Sequence, residues 1–207
     1  MVVDVSDMLN REDLRIQLFS TLRLYWDCIR VAVDDDDAAI RITKLDPTKA
    51  NLYYRGFSRP IACVPDDQPE MFEFHELREP PWNQHTGMMT RYGDINPLIN
   101  SIDDKFAIMA AGDAVDLRFD ATGVPSLNDG QSRTYLLFMD GWAKDGDPNT
   151  MFAGTVEPLP FHGMSGYPYT EQESYPQDVE HQQYLQTWNT RPGRKLIPGL
   201  VPLNGIE

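Results

Sequence analysis

The chain has 207 residues, of which 41% are hydrophobic and 24% charged, the balance of an ordinary globular protein long enough to bury a sizeable core. No apolar run reaches the ~18 residues that a membrane-spanning helix needs, and 32 acidic against 18 basic residues leave a net charge of -14. A surface of that sign repels phosphate backbones, so nucleic acid is excluded as a partner, while divalent cations and basic groups are favoured.

Residues 13–19, "DLRIQLF", alternate with Leu14, Ile16 and Leu18 on one face. In "LRLYWDCIRVAV" (22–33) the apolar set changes face, which predicts a β-bulge or bend near residues 27–30. "AAIRITKL" (38–45) and "ANLYYRGF" (50–57) close a first β block, residues 1–57. Residues 58–104 are broken by proline yet keep Trp82, Met88, Met89 and Tyr92, so they read as a long ordered insertion and not as a linker. Within it "MFEFHEL" (71–77) is a short strand, and "NPLINSID" (96–103) opens one helical turn with Pro97 at its first position.

The second β block, residues 105–157, starts with an apolar strand over 105–110 and a turn at Gly112-Asp113. "AVDLRFD" (114–120) then alternates, with Val115, Leu117 and Phe119 inward. "TYLLFMD" (134–140) is apolar on both faces, as a central strand is. Residues 158–207 hold a loop, a helix and an extended tail. The helix, "PQDVEHQQYLQTWN" (176–189), takes Asp178 as N-cap and docks through Val179, Gln182, Tyr184, Leu185 and Trp188. Short strands, long loops and 16 prolines predict a single mainly β domain. Its expected form is an antiparallel β-sandwich, jelly-roll or galactose-binding-like, with a C-terminal helix.

Three groups of residues carry candidate chemistry. In "DGWAKDGDPNT" (140–150), Asp140, Asp145, Asp147 and Asn149 supply the hard oxygen ligands that calcium takes. Thr150 replaces the glycine that a complete EF-hand loop places there, and without metal the same side chains cap a turn. The four aspartates at 34–37 point alternately and read as a solvated loop. A second group is aromatic: Trp82, His85, Tyr92, Trp142, His162, Tyr167 and Tyr169 lie in loops, where exposed rings stack on sugars or on partner side chains. Third, His85 and His162 with Asp94 or Asp140 make an acid–base or metal site if they converge. Ser165 lacks the spacing of a nucleophile elbow. Cys28 and Cys63 are too few for a disulfide framework, so two thiols or one bridge both remain open.

The start, "MVVDVSDMLNRED", is acidic and has no basic n-region or apolar core. It reads as a cytoplasmic chain or as a mature or excised part of a longer one.

The stretches "RTYLLFMDGWAKDGDPNT", "TVEPLPFHGMSGYPY", "YRGFSRP" and "PWNQHTGMMTRYGDINPLI" resemble the C-terminal region of large bacterial proteins. Those proteins combine FG-GAP propeller repeats, the ASPIC/UnbV domain and often tetratricopeptide repeats, an architecture related to cartilage acidic protein. The resemblance spans residues 14–191. It implies an extracytoplasmic setting and a neighbouring calcium-binding propeller, and it carries over no catalytic residue. The function expected from all this is a non-enzymatic accessory module, calcium-stabilised, that contacts carbohydrate or protein through its aromatic loops. The alternatives are a metal-dependent hydrolase or redox subunit using His85 and His162, and a structural domain packed on a larger protein.

Overall fold

The computed structural model describes residues 4–5, 7–8, 15–19, 29–31, 41–61, 71–80, 83–144, 149 and 151–194. The chain divides into two compact units, Met1–Ile40 with Val64–Pro69, and Arg41–Cys63 with Glu70–Glu207. In the first, a turn is closed by the Met8 amide on the Val5 carbonyl at 2.9 Å, and residues 15–19 are exposed and outside any strand. The expected bend, both cysteines and the four aspartates lie outside the described residues, apart from Ile29 and Arg30.

The second unit is β-rich and antiparallel throughout its sheets. It contains β1 (Pro47–Tyr54), β2 (Phe57–Pro60), β3 (Phe72–Arg78), β4 (Met88–Met89), β5 (Gly93–Asp94) and α1 (Asn96–Ile99), then β6 (Asp113–Phe119), α2 (Val179–Trp188) and β7 (Arg191–Pro192). β1 is the centre of a three-stranded sheet, β5-β1-β6, while β2-β3 and β4-β7 form two-stranded pairs. Its register sets Leu52 against Val115 on one side and Gly93 on the other. Paired on both edges, β1 buries Ala50 and Leu52 completely, and its first residue is a proline, where no ladder donor is missed. Gly112, at φ +92°, starts the turn into β6. A Cβ there would lie 2.5 Å from the Tyr54 ring, so only glycine fits.

The core joins Ala50 and Leu52 to Met89, Ile95, Leu98, Val156, Leu159, Tyr175 and Tyr184. The proline-broken insertion therefore supplies part of the central core. Thr90, fully buried, ties it in: its amide donates to the Ile108 carbonyl at 3.1 Å, and its hydroxyl accepts from the Ile108 amide at 2.7 Å. Residues 105–110 form no strand, while Ala107, Ile108 and Ala110 pack against the core. Residues 134–140 form no strand either. Their apolar side chains are exposed, Leu136 at 93%, because an apolar composition requires burial without specifying the partner.

α1 keeps the proline at its start. α2 begins where Asp178 accepts a hydrogen bond from the His181 amide, the expected cap. Its docking face differs from expectation: Tyr184 is buried and donates to the Phe106 carbonyl at 2.7 Å, with Leu185 and Trp188 beside it. Val179 is 79% exposed and Gln182 exposed, since the first turn extends past the core.

Candidate functional site

His162 is the centre of a three-residue clasp. Its Nδ1 lies 2.7 Å from Asp104 Oδ1 and its Nε2 3.2 Å from Asp140 Oδ2. Asp104 is fixed from two directions: its carboxylate also accepts the His162 amide at 2.7 Å, and its carbonyl accepts the hydroxyl of buried Tyr175. The imidazole stacks on Phe106, centroids 6.3 Å apart and planes 15° from parallel. The hydrogen bond to Asp104 and that carboxylate's charge, helped by Asp140, raise His162 above the ordinary imidazole range. The two carboxylates meet opposite nitrogens of one ring. Among the described residues no group of three or more His, Cys, Asp or Glu side chains is arranged to hold a metal ion.

Beside the clasp stands a group of aromatic rings. Trp142, two residues after Asp140, packs on Tyr167 at 5.4 Å; Tyr167 lies 6.4 Å from Tyr169, and Tyr169 lies 5.2 Å from Phe161, the neighbour of His162. The loop that carries them is stitched to itself. Tyr167 donates to the Pro158 carbonyl at 2.9 Å and Tyr169 to the Leu159 carbonyl at 3.2 Å, while Ser165 donates to Glu173 through both amide and hydroxyl. Lys144 donates to the Val156 and Glu157 carbonyls and places its ammonium 5.3 Å from the Tyr167 ring. Burial lowers its pKa. Two features thus share one surface: anchored phenols behind, and Trp142 with half its surface open to solvent.

Trp142, Tyr167 and Tyr169 are therefore in contact with one another, and His162 lies next in the chain to Phe161, which packs on Tyr169. His85 is not exposed as a ligand loop requires. It is half-buried near Lys144, burial and that charge depress its pKa, and its Nε2 is buried with no hydrogen-bond partner among the described residues. Tyr92 belongs to a separate knot: it donates to Asp113 at 2.8 Å under the Arg191 guanidinium, 4.1 Å from the ring. Asp94 accepts the Asn96 amide at 2.9 Å at the start of α1. Among the described residues no hydrogen bond or ring contact links His85 or Asp94 to His162. Trp82, Asp145 and Asp147 lie outside the described residues, and Asn149 is exposed. Asp104 was not visible in the sequence; it lies 58 residues from its partner in an unremarkable "SIDDK". No family model, curated protein or solved structure matches the chain.

The clasp has one chemical limit. With both nitrogens engaged, His162 has no free lone pair or N–H for a substrate until Asp140 moves. The exposed ring of Trp142 and the part-exposed Asp140 carboxylate need no such rearrangement.

Proposed function

We propose that the chain is a non-enzymatic binding module that takes a carbohydrate on the surface formed by Trp142, Tyr167, Tyr169, Asp140 and His162. The observation that carries this reading is the half-exposed Trp142 ring adjoining a carboxylate that is already oriented by His162. A sugar offers an apolar C–H face to an indole and hydroxyl donors to a carboxylate, so both halves of the surface have a use. In this reading the β-rich framework is an antiparallel sandwich that presents its loops at one end, and the resemblance to propeller-associated bacterial proteins supports an accessory role.

Titration calorimetry against a panel of neutral soluble polysaccharides tests it, with tryptophan fluorescence as a second signal. At least one glycan binds, and Trp142→Ala removes that binding while leaving the melting temperature close to wild type. Failure of every glycan, or equal binding by the variant, ends the reading. Calcium at Asp140, Asp145, Asp147 and Asn149 is its proposed stabiliser. After EDTA treatment, added calcium raises the melting temperature if the ion binds the native state selectively.

A second reading, a domain that packs on a larger protein, is favoured by the exposed apolar run at 135–139. It predicts that Leu136→Lys improves solubility of the isolated chain without affecting glycan binding.

A further inference from the structure

We propose that His85 is a pH-sensitive latch: as a neutral imidazole it holds the loop 151–157 against residues 84–87, and its protonation releases that loop. The device goes beyond the carbohydrate reading, since it is built without any ligand. Residues 84–87 form a plank with a partner on each side. On one side is the loop. The Thr86 amide donates to the Gly154 carbonyl at 2.8 Å and the Val156 amide to the Thr86 carbonyl at 2.8 Å, while the Thr86 hydroxyl reaches the Gly154 carbonyl at 3.0 Å. On the other side are residues 193–194. The Gly193 amide donates to the Gly87 carbonyl at 3.1 Å and the Gln84 amide to the Arg194 carbonyl at 3.2 Å, and the Arg194 amide donates to the Gln84 side chain at 2.9 Å. None of the groups in that second set titrates near neutrality.

His85 belongs to the loop side. Its ring bonds to the Ala153 backbone, and its Nε2 is buried with no hydrogen-bond partner among the described residues. In the neutral ring that atom carries a lone pair; a proton there becomes a buried, charged donor with nothing to receive it. The charged groups around the plank are otherwise engaged. Lys144 has the same sign as an imidazolium and donates to the Val156 and Glu157 carbonyls. The Glu157 carboxylate packs on Gly87, 2.4 Å from where a Cβ would stand, and its charge acts on Lys144. Arg194 faces Glu79 at 3.5 Å, and Asp113 faces Arg191 at 2.6 Å. Burial first, then Lys144, therefore lower the His85 pKa, although the bond to Ala153 works the other way. A lowered value in the closed form means that the open form takes up the proton more readily. The latch is complete above the ordinary value of about 6.5 and weakens as pH falls below it. Because Lys144 is anchored on the same loop, release also frees the ammonium that stands 5.3 Å from the Tyr167 ring.

The test is amide hydrogen exchange of the whole chain, followed by NMR, with each rate divided by that of an unstructured peptide at the same pH. Protection of Val156, which donates to Thr86, falls about threefold or more from about pH 7.5 to about pH 5. Protection of Gly193, on the other side of the plank, does not follow it. The fall runs between the ordinary imidazole value and the lower value at which the His85 ring itself titrates. His85→Phe, which keeps a ring and takes no proton, removes the pH dependence, and His162→Gln leaves it in place. The wild-type comparison of Val156 with Gly193 and with the His85 titration stands even where His85→Phe fails to fold. Protection of Val156 that is constant with pH, that falls equally at Gly193, or that keeps its pH dependence in His85→Phe overturns the proposal.

Discussion

Two ionic clusters in this molecule use similar groups and sit in opposite surroundings. In the knot at the start of β6, Arg191 meets Asp113 at 2.6 Å, with the Asp113 side chain fully buried and Arg191 at 13% exposure. Asp113 also accepts the Tyr92 hydroxyl and the Ala110 amide, and Arg191 donates to the Thr90 carbonyl at 2.9 Å. In the His162 clasp the distances are comparable, but His162 is 50% and Asp140 39% exposed. Water reaches His162 and Asp140 far more readily than it reaches the Asp113–Arg191 pair. The same chemistry is therefore structural in one place and available for function in the other.

The largest effect comes from breaking the knot. Asp113→Ala leaves the Arg191 charge buried without its counter-ion and costs about 4 kcal/mol, read as a lower urea midpoint; a change below about 1 kcal/mol would erase the distinction between the clusters. Next is Thr90→Val, similar in shape, which removes the hydroxyl that accepts from Ile108 and donates to Asn189 at 3.3 Å. Two buried groups lose their partner, at about 2 kcal/mol. The knot also leaves a spectroscopic mark: burial, then the bond to Asp113, pushes the Tyr92 phenol up to about 12. In an ultraviolet pH titration, one tyrosine component that titrates near the ordinary value of about 10 disappears in Tyr92→Phe only if the bond to Asp113 is absent.

The clasp responds to pH, and gently. The His162 pKa is raised in the folded chain, so its contribution to stability is complete below the unfolded value of about 6.5. It fades as pH climbs through the higher folded value. The melting-temperature difference between wild type and His162→Gln accordingly shrinks as pH rises from about 6 to 8; a constant difference would mean the clasp holds no extra proton. Smallest of all, Trp142→Ala shifts stability by no more than about 1 kcal/mol, the value of one aromatic contact, and acts on binding instead.

The helix α2 was readable because its signals are local: Asp178 lies three residues from the amide it caps. The same holds for Pro97 in α1 and for the alternation of β6. For the aromatic surface, the sequence could name Trp142, His162, Tyr167 and Tyr169 by residue type and loop position, and it grouped Tyr92 and His85 with them for the same reason. It had no means of separating them, since what removes Tyr92 is Asp113, 21 residues away, and Arg191, 99 away in the chain. Apolar runs were the least readable feature. Residues 105–110 and 134–140 look alike as strands, yet one is wired into the core through Thr90 and the other lies exposed.

By itself the sequence determined the β-rich character, the cap of α2, the proline at the start of α1 and the excess of acidic residues. These follow from backbone preferences and composition, which act over a few residues or over none. Tertiary structure decided which carboxylates face His162 and which arginine is buried against Asp113. Those outcomes depend on contacts between residues tens of positions apart, where burial sets the strength of every charge and no local pattern records it.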